Sequence, residues 1–241
     1  MQFRNVYEDA RRAEAYAKLE FPGTYYLAYR DLPEILQRHA KGTRALDFGC
    51  GTGRSTRFTA KLGFDVIGVD VSEEMLRQAR ALDAEGDYRL VGAGDIPQLA
   101  PPPFDLVQSV FTFDNIASEE RKVALFEELR DVLSPEGTLV SLVSAPEIYT
   151  HEWASFTTKQ FPENVHAKSG DRVKIIMTDV EDARPVEDIL WTDEAYRAVY
   201  ERARLTIEAT YRPLARASEP YRWVSETEIA PWVIYVLRRT P

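Results

Sequence analysis

Three glycines fall within five positions of the stretch RALDFGCGTGRST, residues 44–56, at Gly49, Gly51 and Gly53. They follow an apolar run and precede a segment of helical type. A ligand at this turn would lie against bare backbone at the start of a helix. Two acids flank it. Asp47 stands two residues before the first glycine, and Asp70 lies about twenty residues beyond it. A carboxylate at Asp47 repels phosphate and attracts a cation. One at Asp70 can take both hydroxyls of a ribose. The third glycine comes one position earlier than in the G-x-G-x-x-G of dinucleotide sites. A nucleoside carrying an ammonium and no phosphate suits this turn better than a pyridine or flavin dinucleotide, which stays as the alternative.

S-adenosylmethionine is a ligand of that kind, and it carries a sulfonium charge as well. On this reading Asp70 holds the ribose, Val71 and Met75 line one adenine face, Asp95 accepts from the adenine amino group, and Ile96 packs beside it. Phe111 closes the site at the end of a strand. Cys50 is a small filler of the turn and is expected to touch the ligand, with a nucleophilic role disfavoured. Blander roles stay open: Asp70 and Asp95 as helix caps, and Gly53 as helix–strand packing alone.

Such residues need a scaffold that brings strand ends together. Apolar runs of strand type occur at 44–49, 65–70, 88–94, 104–111 and 137–145. Helical patterns at 55–63, 72–86 and 118–137 separate several of them, the last two opening on Ser72 and Ser118 as caps and stopping at Gly86 and Pro135. Strands alternating with helices imply a parallel sheet covered on both faces. Beyond residue 145 the pattern changes. Residues 146–171 are aromatic and polar without a period, and two strands follow around a turn at Asp182–Pro185. A capped helix spans 192–205, and strands at 206–214 and 231–239 are expected to be antiparallel neighbours. Residues 1–42, with Tyr7, Tyr16, Tyr25, Tyr26, Tyr29, Arg11, Arg12 and Arg30, read as a helical cap broken at 21–24, either covering a sheet edge or acting as a lid.

The segments LDFGCGTGRS, VIGVDVSEEML, GDI, PFDLVQSVFTFDNI and LSPEGTLVSLV, in that order, resemble the class I S-adenosylmethionine-dependent methyltransferases. The resemblance runs from about residue 44 to 145 and continues through the closing elements to 239. It implies an α/β, Rossmann-like seven-stranded sheet of order 3-2-1-4-5-7-6 with strand 7 antiparallel and helices on both faces. It assigns Asp47, Gly49 and Gly51 to the methionine half of the cofactor, Asp70 to its ribose, and Val71, Asp95 and Ile96 to adenine. The sequence departs from the family near Arg204, where a glycine is frequent. The expected division is a single domain over 1–241: a cap at 1–42, a cofactor-binding core at 43–145 and 191–241, and a substrate-covering β-hairpin insertion at 146–190.

Methyl transfer from a sulfonium is an in-line displacement that asks mainly for alignment and exclusion of water. A general base matters where the acceptor must lose a proton. His151, in the aromatic insertion, is the candidate base, although a solvent-facing loop histidine is the blander reading; His39 and His166 read as surface residues. Tyr25 is expected over the methionine end. Tyr26, Phe113, Asn115 and Trp153 are expected around the acceptor, an O, N or C nucleophile of a small molecule, with S-adenosylhomocysteine as the other product. A cofactor-binding protein without catalysis is a further alternative.

The 241 residues carry 30 Lys and Arg against 39 Asp and Glu, a net charge of −9, which disfavours a nucleic-acid partner. The three histidines are far apart and Cys50 is the sole cysteine, so neither a metal site nor an intrachain disulfide is expected. No stretch approaches the ~18 apolar residues of a membrane span. The charged N-terminal residues are unlike a secretory signal, and a cytoplasmic location is the expectation.

Overall fold

The computed structural model describes residues 21–92, 94–98, 103–180 and 184–240. Residues 1–20 with Tyr7, Arg11, Arg12 and Tyr16, the prolines at 101 and 102, and Asp182 of the expected turn lie outside them. The central sheet contains β1 (Arg44–Phe48), β2 (Asp65–Asp70), β3 (Asp87–Leu90), β4 (Phe104–Val110), β5 (Leu133–Ser144), β9 (Leu205–Tyr211) and β10 (Trp232–Arg239). Its order is β3-β2-β1-β4-β5-β10-β9. The first five strands pair in parallel, and β10 enters antiparallel between β5 and β9. This is the expected order, with the last strand inserted beside the fifth. A smaller antiparallel sheet of β6 (Phe156–Thr157), β7 (Arg172–Met177) and β8 (Val186–Ile189) follows β5. The expected hairpin is β7–β8; the two-residue β6 has no sequence signal.

Helices α1 (Thr24–Arg30), α2 (Leu32–His39), α3 (Arg54–Lys61), α4 (Glu73–Leu82), α5 (Glu119–Asp131) and α6 (Asp193–Arg202) cover the sheet. Ser72, Ser118 and Thr192 each accept a hydrogen bond from the backbone N–H three residues on, and two acids follow each cap. Alternate residues of the central strands face opposite layers. Leu139, Val143, Tyr235 and Leu237 lie under α5 and α6 with Phe126 and Tyr200. Val140, Leu142, Ile234 and Val236 lie under α1, α2 and the small sheet with Leu27, Leu36 and Ile175.

Two boundaries differ from the sequence pattern. α4 ends at Leu82 rather than Gly86, because the chain turns at Asp83 to bring Tyr88 against Cys50, Leu76 and Ala79; the Tyr88 hydroxyl donates to Asp83 over 3.0 Å. β5 begins at Leu133, ahead of Pro135. The register jumps from Phe104↔Leu133 to Leu106↔Thr138, so Ser134–Gly137 bulge out of the ladder and the proline needs no partner there.

Glu226, fully buried, ties three distant segments. One carboxylate oxygen accepts from the Thr24 hydroxyl (2.6 Å) and from the Ala154 N–H (2.7 Å), the other from the Val224 N–H (2.8 Å). The start of α1, the insertion and the loop before β10 are thereby fixed to one another. His39 also differs from expectation: it is buried, with ring nitrogens 3.1 Å from Glu208 and 2.7 Å from Tyr211.

Arg204 closes α6 with φ 56°, the left-handed conformation that glycine adopts most easily. Its side chain is exposed. Replacing it should relieve backbone strain without opening a cavity: Arg204→Gly is expected to stabilise the protein by about 0.5–1 kcal/mol, read as a higher urea midpoint at unchanged slope.

Candidate active site

β1 delivers the chain into the glycine turn. The N–H groups of Gly49 and Cys50 both donate to the Val69 carbonyl, at 2.8 and 3.0 Å, so the turn hangs from the end of β2. Gly49 has φ 73°, and a Cβ there would stand 2.2 Å from the Thr112 hydroxyl oxygen. Gly53 has φ 78°, and a Cβ there would meet the Tyr88 ring, with its hydroxyl at 2.6 Å. The geometry at Gly53 is therefore that of helix–strand packing. Asp70 braces the turn: one oxygen accepts from Gly51 N–H (2.8 Å) and the other from Ser72 N–H (2.9 Å). Burial pushes its pKa up, against the pull of those donors.

Above the turn lies a cavity open to solvent. Asp70, Val71 and Met75 form one part of its wall. Arg54 and Tyr29 form another, where the buried Arg54 guanidinium lies 4.8 Å from the Tyr25 ring centroid and 5.5 Å from that of Tyr29. Asp47 lies beneath, wholly buried. One of its oxygens accepts from both Ser55 and Thr56 hydroxyls at 2.6 Å, and the other has no protein partner. Burial pushes its pKa up to about 6 despite those hydroxyls. Burial likewise pushes the Cys50 thiol up, which removes it as a thiolate nucleophile.

A second, smaller cavity opens beside the first. Tyr25, Phe111, Tyr149, Phe156 and Trp232 give it aromatic walls, and Asp114 and Asp188 line it with carboxylates. Phe111 and Asn115 belong to both cavities. Phe111 holds a left-handed backbone, φ 63°, with its ring 4.6 Å from that of Trp232. Asn115 donates to the Phe111 carbonyl, while its own side-chain oxygen is buried without a protein partner.

The structure gathers Gly49, Cys50, Gly51, Asp70, Val71, Met75 and Phe111 around the first cavity. Asp95 and Ile96 stand off from it: Asp95 accepts from Gly92 N–H at 2.7 Å and Ile96 is core. Tyr25 lines the second cavity rather than the first, because α1 lays it flat near Trp232. Of the expected acceptor residues, Asn115 alone reaches a cavity. Tyr26 packs near Tyr221, Phe113 stacks on Phe126 in the core at 3.9 Å, and Trp153 donates to the Ile148 carbonyl. His151 lines neither cavity; its Nδ1 lies 3.1 Å from both the Thr150 hydroxyl and the Glu147 carbonyl oxygen. Arg54, Asp188 and Trp232 had no sequence signal beyond residue type. Among the described residues no cluster of three metal-type ligands occurs, and no helix is long and apolar enough to cross a membrane.

Residues 45–137 match the family described as Methyltransferase domain. Over those residues the chain is similar to the methyltransferases. An uncharacterised methyltransferase of Geobacillus sp. (strain WCH70) is 34% identical over 99 residues, 40% of this chain and 45% of that protein. A ubiquinone biosynthesis O-methyltransferase of Xanthomonas campestris is 30% identical over 102 residues, 41% of each. The chain thus spans less than half the length of these curated relatives. The CcbJ methyltransferase structure from Streptomyces caelestis superposes with a TM-score of 0.66 at 17% identity, covering 98% of this chain and 99% of that one. An S-adenosylmethionine-dependent methyltransferase from Clostridium acetobutylicum gives 0.61 at 13% identity, covering 94% of each. At these identities the likeness is one of fold. S-adenosylmethionine is the cofactor of this domain class. The residues present are compatible with it: a side chain at Gly49 would clash with Thr112, and the Asp70 carboxylate and the Arg54 guanidinium both line the cavity.

Asp47 makes a stability prediction. Its folded-state pKa is raised, so the native state holds the proton more tightly than the unfolded chain does. Its contribution is greatest below about pH 4 and is lost as pH rises through about 6. Asp47→Asn, which keeps an acceptor for Ser55 and Thr56, removes this titration. Urea unfolding of both proteins should show the variant gaining on the wild type by roughly 2–3 kcal/mol from about pH 4 to about pH 7, with no further change above.

Proposed function

We propose that the protein is an S-adenosylmethionine-dependent methyltransferase that acts on a small molecule held in the second cavity. The observation that carries this reading is the junction: two adjoining cavities meet at Phe111 and Asn115 and share no other lining residue. The cofactor supplies a methyl group on a sulfonium, already activated toward a nucleophile. What the chain must supply is alignment to about 3 Å and a dry contact. Asp70 offers its remaining lone pairs to ribose hydroxyls. Val71 and Met75 cover an adenine face. Arg54, stiffened between two tyrosine rings, pairs with the amino-acid carboxylate. The Phe111 ring and the Asn115 carbonyl oxygen flank the passage between donor and acceptor.

We assign residues 146–190 the task of covering the substrate, since Tyr149, Phe156, Ile175 and Asp188 from that stretch wall the second cavity. The core at 43–145 and 191–241 holds the cofactor, and the helical cap contributes Tyr25 and Tyr29. No base from His151 is needed in this arrangement. The carboxylates of Asp114 and Asp188 are the groups within reach of an acceptor.

Calorimetry tests the reading. S-adenosylhomocysteine is expected to bind the purified protein, NAD to give no heat, and Asp70→Asn to weaken S-adenosylhomocysteine at least about tenfold. Tight binding of NAD without S-adenosylhomocysteine would sink it.

A further inference from the structure

Three aromatic residues line the first cavity: Tyr29, Phe48 and Phe111. Tyr29 lies 5.5 Å from the Arg54 guanidinium and packs 5.0 Å from Phe58. Phe48, at the end of β1, packs into the core 5.8 Å from Phe113. Phe111 alone of the three also lines the second cavity. Two rings of that second wall hold it, Trp232 at 4.6 Å and Tyr25 at 6.0 Å. The backbone beneath it takes a left-handed turn, φ 63°, that a glycine would adopt without strain. An outlier of this kind, at the border of two sites, calls for a function of the side chain.

The charges around the junction are already engaged. Asp70 is the one acid among the lining residues of the first cavity, and its oxygens accept from the Gly51 and Ser72 N–H groups. Arg54 is the one cation among them. On the other side, Asp114 is met by the Ser144 N–H, the Tyr196 hydroxyl and the positive charge of Lys122, and Asp188 by the Tyr149 hydroxyl.

We propose that the Phe111 ring recognises the positive charge of the sulfonium and so lets the protein tell the methyl donor from its demethylated product. This rests on the reading of the first cavity as the cofactor site and of the second as the acceptor site. A methyl group passed between the cavities must start at their junction, and Phe111 and Asn115 are the lining residues found there. Asn115 donates to the Phe111 carbonyl and so fixes the turn that carries the ring. A cation over an aromatic face is attracted by the ring's quadrupole, and more strongly where water is excluded. The thioether product carries no such charge and keeps only shape contacts with the ring.

Calorimetry on the full chain with three ligands tests this: S-adenosylmethionine, S-adenosylhomocysteine and sinefungin, which has an ammonium-bearing carbon in place of the methylated sulfur. Sinefungin separates the charge from the methyl group. Phe111→Leu keeps an apolar side chain and removes the π face, and leucine takes the left-handed turn no more easily than phenylalanine does. It should weaken S-adenosylmethionine and sinefungin about fivefold more than S-adenosylhomocysteine, the size of one cation–π contact. Phe111→Tyr keeps a ring and should leave the relative affinities of the three ligands within about twofold of the wild type. Where Phe111→Leu does not fold, Phe111→Met serves in its place. Equal loss for all three ligands, a loss confined to S-adenosylmethionine, or a Phe111→Tyr protein that behaves like Phe111→Leu overturns the proposal. Failure of both S-adenosylmethionine and S-adenosylhomocysteine to bind the wild type would instead strike the cofactor reading beneath it.

Discussion

A carboxylate removed from water must be met by whatever surrounds it, and this demand organises the molecule. Asp47 gathers Ser55 and Thr56 and so fixes α3 beneath the glycine turn. Asp70 joins the turn to the start of α4 through two backbone N–H groups. Asp114 joins the turn after β4 to the end of β5 and to α6. Glu226 joins α1, the insertion and the final loop. Asp47 and Asp70 close links within one strand–helix–strand unit, Asp114 and Glu226 link segments far apart in sequence, and in each case loss of the hydrogen bonds would leave a buried acid unmet. Such contacts specify where loops sit more sharply than apolar packing does, because an apolar surface tolerates sliding and a buried charge does not.

The first cavity was legible because its residues are local in the chain. The turn, Asp70 and Met75 follow one another across a single strand–helix–strand unit, and spacing along such a unit translates directly into position. The second cavity is made of residues 25, 111, 149, 188 and 232. Their meeting depends on three tertiary events with no local signature: α1 lying on the sheet, the small sheet folding back, and β10 inserting between β5 and β9. His151 shows the converse. An aromatic neighbourhood in sequence marked it, yet the short helical turn at Pro146–Tyr149 points Tyr149 inward and leaves His151 on its own loop carbonyl. Asp188 gave no signal either, since it stands beside Glu187 between the two apolar ends of a four-residue strand and reads as an ordinary polar strand position.

Phe111 shows how the two parts were fitted together. A non-glycine residue at φ 63° carries a strain of about 1 kcal/mol or more. Glycine would remove the strain and also the ring. The ring is the partition: it packs 4.6 Å from Trp232 on one side and borders both cavities. The strained backbone is held by the hydrogen bond from its N–H to the Leu142 carbonyl (2.8 Å) and by Asn115 on its own carbonyl. The chain thus turns sharply at the end of β4 while keeping a large side chain at the place where two ligands would touch.

The charges on the two sides of that partition are sorted. Arg54 stands over the outer rings of Tyr25 and Tyr29, on the side of the first cavity, and Asp114 and Asp188 line the second. Between them lie mostly aromatic side chains, which screen poorly compared with water. Charges held on those two walls act on their surroundings more strongly than they would through solvent. Preorganised dipoles and charges need no rearrangement as a reaction proceeds, so their effect falls on the transition state. The buried lysine behind Asp114 fits this arrangement. Lys122, enclosed by rings and bonded to the Phe113 carbonyl, is the charge that acts most on Asp114: burial pushes the carboxyl's pKa up and the ammonium pulls it back down.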